Sequence, residues 1–136
     1  MAIVVSTVNF VDKVLSILEE ETERVANIAD KAAKKTADDA ERELRAVRIG
    51  TGAYSSGWTV KREQKHKGKR NGPIYTKYTV YNATHYQLTH LLEYGHRIVS
   101  HGKDTGKRSR AFPHIQPIEN KQNRLFLENV IREAEQ

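Results

Sequence analysis

The stretch from Asn9 to Arg48 contains neither proline nor glycine. Its apolar residues recur every three or four positions, which is the spacing of one face of an α-helix. Asn9 can cap the start of this helix and Gly50 can end it. A continuous helix of this length would extend about 60 Å, more than a small domain can cover, so the helix either breaks or protrudes. Its apolar positions are Phe10, Val14, Ile17, Leu18, Val25, Ile28, Ala29, Ala32, Ala33, Ala40, Leu44 and Val47.

The weak point of this helix lies between Ala26 and Lys35, where alanines replace large side chains. A helix-helix turn and close packing against another subunit are both compatible with this composition. Small residues at this spacing favour packing within one molecule over an extended coiled coil.

A β-hairpin is predicted in the middle of the chain. Residues 57–64, with Trp58 and Val60, form its first strand, and the β-branched and aromatic residues of 73–82 form the second. The pair Asn71-Gly72 between them is a turn signal. The hairpin therefore carries a basic tip, whose residues include Lys65, Lys67, Lys69 and Arg70.

Two short blocks define the second half of the chain. Residues 91–96 read Leu-Leu-Glu-Tyr-Gly-His, which is typical of a packed last helical turn ended by a left-handed Gly95; the helix is predicted over 84–94. Residues 110–117 read Arg-Ala-Phe-Pro-His-Ile-Gln-Pro, and each proline favours an extended approach to a final helix over Ile118–Glu135. The intervening segment from Val99 to Arg110 is predicted to be a polar, basic loop, to which His114 and Gln116 could hydrogen-bond.

These elements predict an α+β fold in one domain, residues 1–136. A helical region spans residues 1–50, and an α+β portion with the basic hairpin and the basic loop spans 51–136. The C-terminal helix is expected to pack on the hairpin or small antiparallel sheet.

Glu93 stands near the C-terminal end of a predicted helix, where the helix dipole favours cations rather than anions. A partner should therefore compensate its charge. Arg97 and the basic residues between Lys103 and Arg110 are the candidates; a pair within the molecule is favoured, and a pair between subunits is the alternative.

The order of these motifs, with Thr-Gly-Ala-Tyr-Ser-Ser-Gly-Trp at 51–58 upstream, resembles the gene-product-ten-like family of tailed-phage head-tail joining and tail-completion proteins. Members of that family contain, in order, a long N-terminal helical region, a Thr-Gly motif ending near Ser-Trp, a β-hairpin, a helix ending on Glu-aromatic-Gly-His, and a proline-containing segment before a C-terminal helix. The resemblance covers roughly residues 7 to 135. Its motif residues with a structural role are Thr51, Gly52, Trp58, Glu93, Tyr94, Gly95, His96, Pro113 and Pro117.

The resemblance implies a structural virion protein that forms a ring at the head-tail junction and completes or caps the tail. Its partners would be further copies of itself and other neck and tail proteins of the phage. The absence of cysteine indicates folding in a cytoplasm, here that of the host. The residues also lead us to expect no enzymatic activity, no cofactor and no membrane partner.

The net charge of +6 is concentrated in one part of the chain. Residues 1–50 hold 8 Lys and Arg against 10 Asp and Glu, whereas residues 51–115 hold 12 against 3. Such clustering favours an acidic partner, either protein or nucleic acid, although lysines can also simply keep a loop solvated. The residues expected to face a partner or DNA are Lys61, Arg62, Lys65, Lys67, Lys69, Arg70, Lys103, Lys107, Arg108 and Arg110.

Two arrangements of these basic residues suit a ring. In the first, the hairpin reaches a neighbouring subunit and the acidic N-terminal helix meets the basic middle segment of the next copy. In the second, the hairpin faces the lumen and lines a passage for DNA through contacts to phosphates.

The competing function is non-specific nucleic-acid binding by the basic hairpin, with Tyr75, Tyr78 and Tyr81 stacking on bases. Positions 75 and 81 share one face of a strand and 78 lies on the other, so the three cannot form one platform. A steep loss of binding between about 50 and 200 mM salt would identify this function.

No catalytic or metal site is predicted. The absence of cysteine excludes disulfides and thiolate ligands, and Gly95 ends the helix before His96 could join His90 and Glu93 around an ion. The segment Gly50-Thr51-Gly52 lacks the remaining glycines and the lysine of a phosphate-binding loop. No paired histidines or clustered acids support a nuclease. No window approaches the roughly 20 apolar residues of a membrane span, and the opening residues do not form a signal peptide.

Overall fold

The structure, a computed structural model, describes residues 10–66, 68, 70 and 74–136, with the backbone alone for residues 10–18, 74 and 75. In chain order its elements are α1 (Phe10–Ala46), β1 (Trp58–His66), β2 (Ile74–Asn82), α2 (Thr89–Tyr94), β3 (Arg97–Ser100), β4 (Lys103–Arg108) and α3 (Ile115–Ala134). Short 3₁₀ turns at Ser55–Gly57 and Tyr86–Leu88 precede β1 and α2. The predicted α+β class is confirmed, with two antiparallel strand pairs in the described part of the chain.

α1 is one unbroken helix of 37 residues, which corresponds to about 55 Å. Its alanine-rich stretch does not form a helix-helix turn. Instead, the small side chains of Ala32 and Ala37 are buried and allow another helix to approach. The helix ends at Ala46, two residues before the predicted end, and Gly50 lies in the following turn with a φ of 60°.

α3 lies antiparallel to α1. Near the start of α3, the side chains of Lys121 and Gln122 donate to Oε1 of Glu43 at 2.6 and 3.0 Å. At its end, the guanidinium of Arg24 donates to the carbonyl oxygen of Ala134 at 3.0 Å. Because α1 begins at Phe10, it continues for about 20 Å beyond the level of Arg24.

The core is a small cluster of Leu44, Tyr54 and Trp58, which are 4%, 6% and 3% exposed. Side chains from every layer pack against this cluster, so the long helix, the first hairpin, α2 and α3 all meet here. The C-terminal helix reaches the sheet at this point. The partly buried residues around the cluster are Ile49, Val80, Leu92, Ile115 and Ile118.

The first hairpin pairs β1 with β2 from Trp58 opposite Asn82 to His66 opposite Ile74. Its two strands lie within two residues of the predicted ones. Val80 packs against the core around Leu44, whereas the Tyr78 hydroxyl donates to Asp30 Oδ1 at 3.1 Å. β2 therefore runs alongside α1 in the same direction, and the strand ends at His66 and Ile74 lie towards the N-terminal end of α1. The Asn71-Gly72 turn lies outside the described residues.

The prediction of a basic loop between Val99 and Arg110 is wrong. This segment forms most of a second hairpin, with Arg97 opposite Arg108 and Ser100 opposite Lys103. His101 and Gly102 join its strands with φ angles of 50° and 79°. Two successive residues with positive φ form the tight turn that matches the twist of a hairpin. Both faces of this hairpin are exposed, so its strands carry charged side chains and show no alternation of apolar and polar residues from which strands could be predicted.

The start of the final helix also differs from the prediction. α3 begins at Ile115 rather than Ile118, so that Pro117 is its third residue and Gln116 is helical rather than extended. A proline in the first turn needs no intrahelical hydrogen-bond partner for its nitrogen. The helix preceding Gly95 is likewise shorter than predicted, because a 3₁₀ turn occupies Tyr86–Leu88 before α2 begins.

Candidate assembly surfaces

The Thr-Gly motif forms the turn that joins α1 to β1. Gly52 has a φ of 89°, and its N–H donates to the carbonyl oxygen of Ile49 at 3.2 Å. The Thr51 hydroxyl accepts from the N–H of Ala53 at 3.4 Å, and the Ser55 hydroxyl donates to the carbonyl oxygen of Val47. This compact turn brings Tyr54 and Trp58 onto the end of α1.

Tyr54, Trp58 and His114 form a buried aromatic cluster with edge-to-face geometry. The ring centroids of Tyr54 and His114 are 5.5 Å apart, and those of Tyr54 and Trp58 are 5.9 Å apart. His114 Nδ1 donates to the carbonyl oxygen of Phe112 at 2.6 Å. Its Nε2 then accepts from the Tyr54 hydroxyl at 2.8 Å. Burial, and next the negative charge of Glu93, raise the pKa of Tyr54 to about 12, so the hydroxyl keeps its proton.

Asn82 is a central residue that sequence reasoning missed. It is 1% exposed, and its Nδ2 donates to the carbonyl oxygen of Tyr54 at 2.7 Å. Its Oδ1 accepts from the N–H groups of Thr84 and His85 at 3.2 and 2.7 Å. The position of an asparagine at the end of a β-rich segment was the available signal, since such side chains commonly bind nearby N–H groups.

Glu93 caps α3, which corrects the predicted ion pair with Arg97 or the following basic segment. Its carboxylate is 4% exposed and accepts from the N–H of His114, at 2.7 and 3.1 Å from the two oxygens. The N–H of Ile115 lies at 2.7 and 3.0 Å, and that of Gln116 at 3.4 and 3.3 Å. The charge near the end of α2 is therefore compensated by the positive end of the α3 dipole.

Gly95 and His96 form the base of the second hairpin. Gly95 has a φ of 74°, and a side chain on it would lie 2.7 Å from the carbonyl oxygen of Ser109. The backbone of His96 bonds both to the backbone of Ser109 and to its hydroxyl. This base directly follows Glu93, so the second hairpin starts beside the N-terminal end of α3.

The other residues of these motifs occupy different environments. Tyr94 is 67% exposed, and Pro113 is exposed directly before the buried His114. Gln116 does not bond to the second hairpin, because its amide donates to Asn120 Oδ1 at 2.9 Å within α3.

The basic residues of the first hairpin point in different directions. Lys61 and Lys65 share one face of β1 and both contact the Glu63 carboxylate, at 2.8 and 3.2 Å. Arg62 lies on the opposite face, with Nε donating to the Tyr78 hydroxyl at 3.4 Å. Arg70 is exposed, and Lys67 and Lys69 lie outside the described residues. The described basic side chains of this hairpin therefore do not form one continuous surface.

The basic residues of the second hairpin are all exposed. Arg97 pairs with Asp104 at 2.6 Å, and Arg108 donates to the carbonyl oxygen of Gly95 at 3.5 Å. Arg110, just after the hairpin, lies over the ring of Phe112, with 5.5 Å from its guanidinium carbon to the ring centre. Lys103 and Lys107 make no ion pair with any described residue.

An acidic surface lies at the other end of α3. Glu19, Glu20, Glu21 and Glu23 are exposed on α1 near or beyond the last turn of α3. Within the described part of the chain, only Glu21 among these four forms an ion pair, with Arg24 at 3.4 Å.

No group of three or more His, Asp or Glu residues suited to a metal ion occurs in the part of the chain that the structure describes. None of the described helices is long and apolar enough to span a membrane. An open groove of about 570 Å³ lies between α1, β2 and α3, and its lining includes Ala37, Trp58 and Phe126.

Comparison with known proteins gives one informative result. The model of a protein family described as "Bacteriophage HK97-gp10, putative tail-component" matches residues 12–95. The match covers α1 from its third residue, the first hairpin, α2 and Gly95, and so includes the turn, the buried Tyr54 and Trp58, and the capping Glu93. No curated protein and no solved structure matches the chain. The chain belongs to the HK97-gp10-like family of structural bacteriophage tail components.

Proposed function

We propose that this tail component acts at the head-tail junction, where it assembles as a ring that completes or caps the tail and joins it to the head. The proposal rests on the family membership, which makes the protein part of the virion, and on the surface that the chain exposes. Its partners are further copies of itself and other neck and tail proteins.

The exposed surface is the observation that carries this proposal. The chain has 10614 Å² of accessible surface, whereas a monomeric globular protein of its mass of 15.5 kDa has about 7,200 Å². In the described part of the chain, residues 19–27 of α1 and all ten strand residues of the second hairpin are exposed. A chain with so much uncovered surface is suited to an assembly in which neighbours cover it.

Exposed apolar side chains support the same proposal. Leu127 and Ile131 lie one turn apart on α3 and are 58% and 48% exposed. Tyr94 and Val99, on opposite sides of the Gly95 turn, are more than half exposed. Apolar surface of this kind is common where a protein contacts another protein.

The proposal is tested with tails and filled heads from a phage that lacks this protein. Adding the purified chain should produce joined particles, counted by electron microscopy and by infectivity. The Glu93→Ala variant, in which α3 has lost its cap, is added to the same tails and heads as a control. Wild-type protein that leaves heads and tails separate contradicts the proposed role.

DNA in the ring lumen is the second part of the proposal, because basic side chains remain exposed on the first hairpin. Contacts to phosphates are sequence-independent and weaken steeply with salt. Binding of a labelled duplex that is unchanged by sequence and lost between about 50 and 200 mM salt supports it. Binding without any assembly would instead favour a nucleic-acid-binding protein.

A further inference from the structure

The second hairpin, β3 with β4, has the properties of a docking surface. All ten of its strand residues are exposed, including Val99 at 61%. An isolated two-stranded hairpin is at best marginally stable in water and leaves both strand edges unpaired. Its strands nevertheless pair, with a register shift between Arg97 and Val99, and a tight turn joins them. A partner that packs on it would supply the contacts that the subunit itself does not provide.

The charge of this hairpin defines the chemistry of that partner. Between Gly95 and Arg110 the chain carries five Lys and Arg and one acidic residue, Asp104. Asp104 is already paired with Arg97, which leaves Lys103 and Lys107 without an ion-pair partner among the described residues. An acidic surface is therefore the complementary partner.

The same chain carries an acidic surface on α1, which the second hairpin of the same subunit cannot reach. The second hairpin starts beside the N-terminal end of α3, where Glu93 caps that helix. The acidic residues of α1 lie near the C-terminal end of α3, where Arg24 contacts Ala134. α3 has 20 residues, about 30 Å, whereas the hairpin from Arg97 to its turn extends only about 15 Å.

We propose that the β3–β4 hairpin of one subunit docks on the acidic α1 surface, Glu19 to Glu23, of the next copy of this chain. The two surfaces differ, so the contact is head-to-tail, and repetition of it closes a ring when the rotation between neighbours permits. This inference rests on the proposed ring and specifies the contact that forms it.

The first hairpin is less suited than the second to supply the basic surface for this contact. Lys61 and Lys65 already share the carboxylate of Glu63. β2 also runs beside α1, with its Ile74 end towards the N-terminal end of α1, which carries the acidic surface of the same subunit. Reversal of Lys61 and Lys65 therefore provides a control that changes the charge equally at a different hairpin.

The test uses two full-length variants that each reverse one surface. Lys103→Glu with Lys107→Glu makes the second hairpin acidic, and Glu20→Lys with Glu23→Lys makes the α1 surface basic. All four side chains are exposed, so both variants should keep wild-type circular dichroism and unfolding midpoints. Each alone should need at least about tenfold more protein than wild type to assemble, as measured by native mass.

Mixing the two variants is the decisive step. In the mixture, each basic surface finds an acidic one on the other variant, so assembly should return with equal amounts of both chains. A mixture that assembles no better than its components overturns the inference, and so does loss of assembly in Lys61→Glu with Lys65→Glu. A wild-type chain that stays monomeric up to about 1 mM, both alone and in the presence of tails, also overturns it.

Head-tail joining is measured separately on the same proteins. Wild-type rings that form through this contact but fail to join heads to tails contradict the proposed function and leave the contact intact. Joining at wild-type efficiency by the reversed-hairpin variant contradicts the contact and leaves the proposed function intact.

Discussion

Glu93 links two helix ends that are 21 residues apart in sequence. Its carboxylate accepts from the first N–H groups of α3, while its backbone belongs to the last turn of α2. An anion is unfavourable at the end of one helix and favourable at the start of another, and here the second effect prevails because three N–H groups converge on the buried carboxylate. This residue therefore fixes where α3 begins, and with it the position of the second hairpin.

Replacing this carboxylate by an amide tests its role. Glu93→Gln keeps one acceptor oxygen but removes the charge and turns an NH₂ group towards N–H donors. The free energy of unfolding, measured in urea, should fall by about 1–3 kcal/mol. The control Glu128→Gln removes a carboxylate that is mostly exposed on α3 and should change stability by less than about 0.5 kcal/mol. Equal stability of the two variants would refute the capping role.

Tyr54 provides a pH-dependent test of the buried cluster. Its pKa is raised from 10.0 to about 12 in the folded protein, so the unfolded chain loses this proton first. The contribution of Tyr54 is fully present below pH 10 and is lost as the pH rises towards about 12. Wild-type stability should therefore fall more steeply over this range than that of Tyr54→Phe, measured as unfolding free energy at several pH values. Parallel curves would contradict the assignment.

For single residues, the sequence shows that a charge stands in an unfavourable position but does not show which groups bind it. The misplaced charge of Glu93 is visible from its position near Gly95, but its partners are backbone groups more than twenty residues later, which no local pattern contains. Its expected partner Arg97 instead pairs with Asp104 because the second hairpin brings them together. Asn82 was missed because a buried amide differs from an exposed one only in its tertiary surroundings.

The elements differ in how strongly their own sequences specify them. α1 follows from helical periodicity without Pro or Gly, and β1–β2 from β-branched and aromatic residues. Both were predicted to within two residues at the described ends. The β3–β4 hairpin gives neither signal, because all of its strand residues are exposed and no apolar alternation develops. Its only local cue is the glycine of a positive-φ turn at His101 and Gly102.

That turn offers a prediction for the element. His101 has a φ of 50°, a conformation that asparagine adopts more readily than histidine, and Asn-Gly is the favoured pair for such a turn. His101→Asn should stabilise the hairpin by a few tenths of a kcal/mol to about 1 kcal/mol. Slower hydrogen exchange at the amides of β3 and β4, with unchanged exchange in β1, is the expected result. Faster exchange in β3 and β4 would show that another turn geometry is present.

The whole molecule combines a small core with two charged surfaces at opposite ends of α3. The acidic surface of α1 and the basic second hairpin cannot meet within one subunit, and the accessible surface exceeds that of a globular monomer of this mass. Composition alone indicated the charge imbalance, but only the antiparallel packing of α3 on α1 shows how far apart the two surfaces lie. The proposed association between copies would bring them together.

Charge-based association should respond to ionic strength. The exposed Glu, Lys and Arg side chains of the two surfaces are screened over about 10 Å at 0.1 M salt and about 3 Å at 1 M. Assembly should therefore require more protein as salt rises, while the unfolding midpoint of the subunit changes little. Sedimentation at several salt concentrations measures both, and assembly that strengthens with salt would indicate an apolar interface instead.

Native mass is the most direct measurement of the central claim, made at several protein concentrations with and without tail tubes of the parent phage. A discrete ring, or a monomer that reaches ring mass and co-sediments only when tails are present, is the result that head-tail joining predicts. A chain that remains a monomer at every concentration, ignores the tails and binds DNA with a steep salt dependence would contradict it.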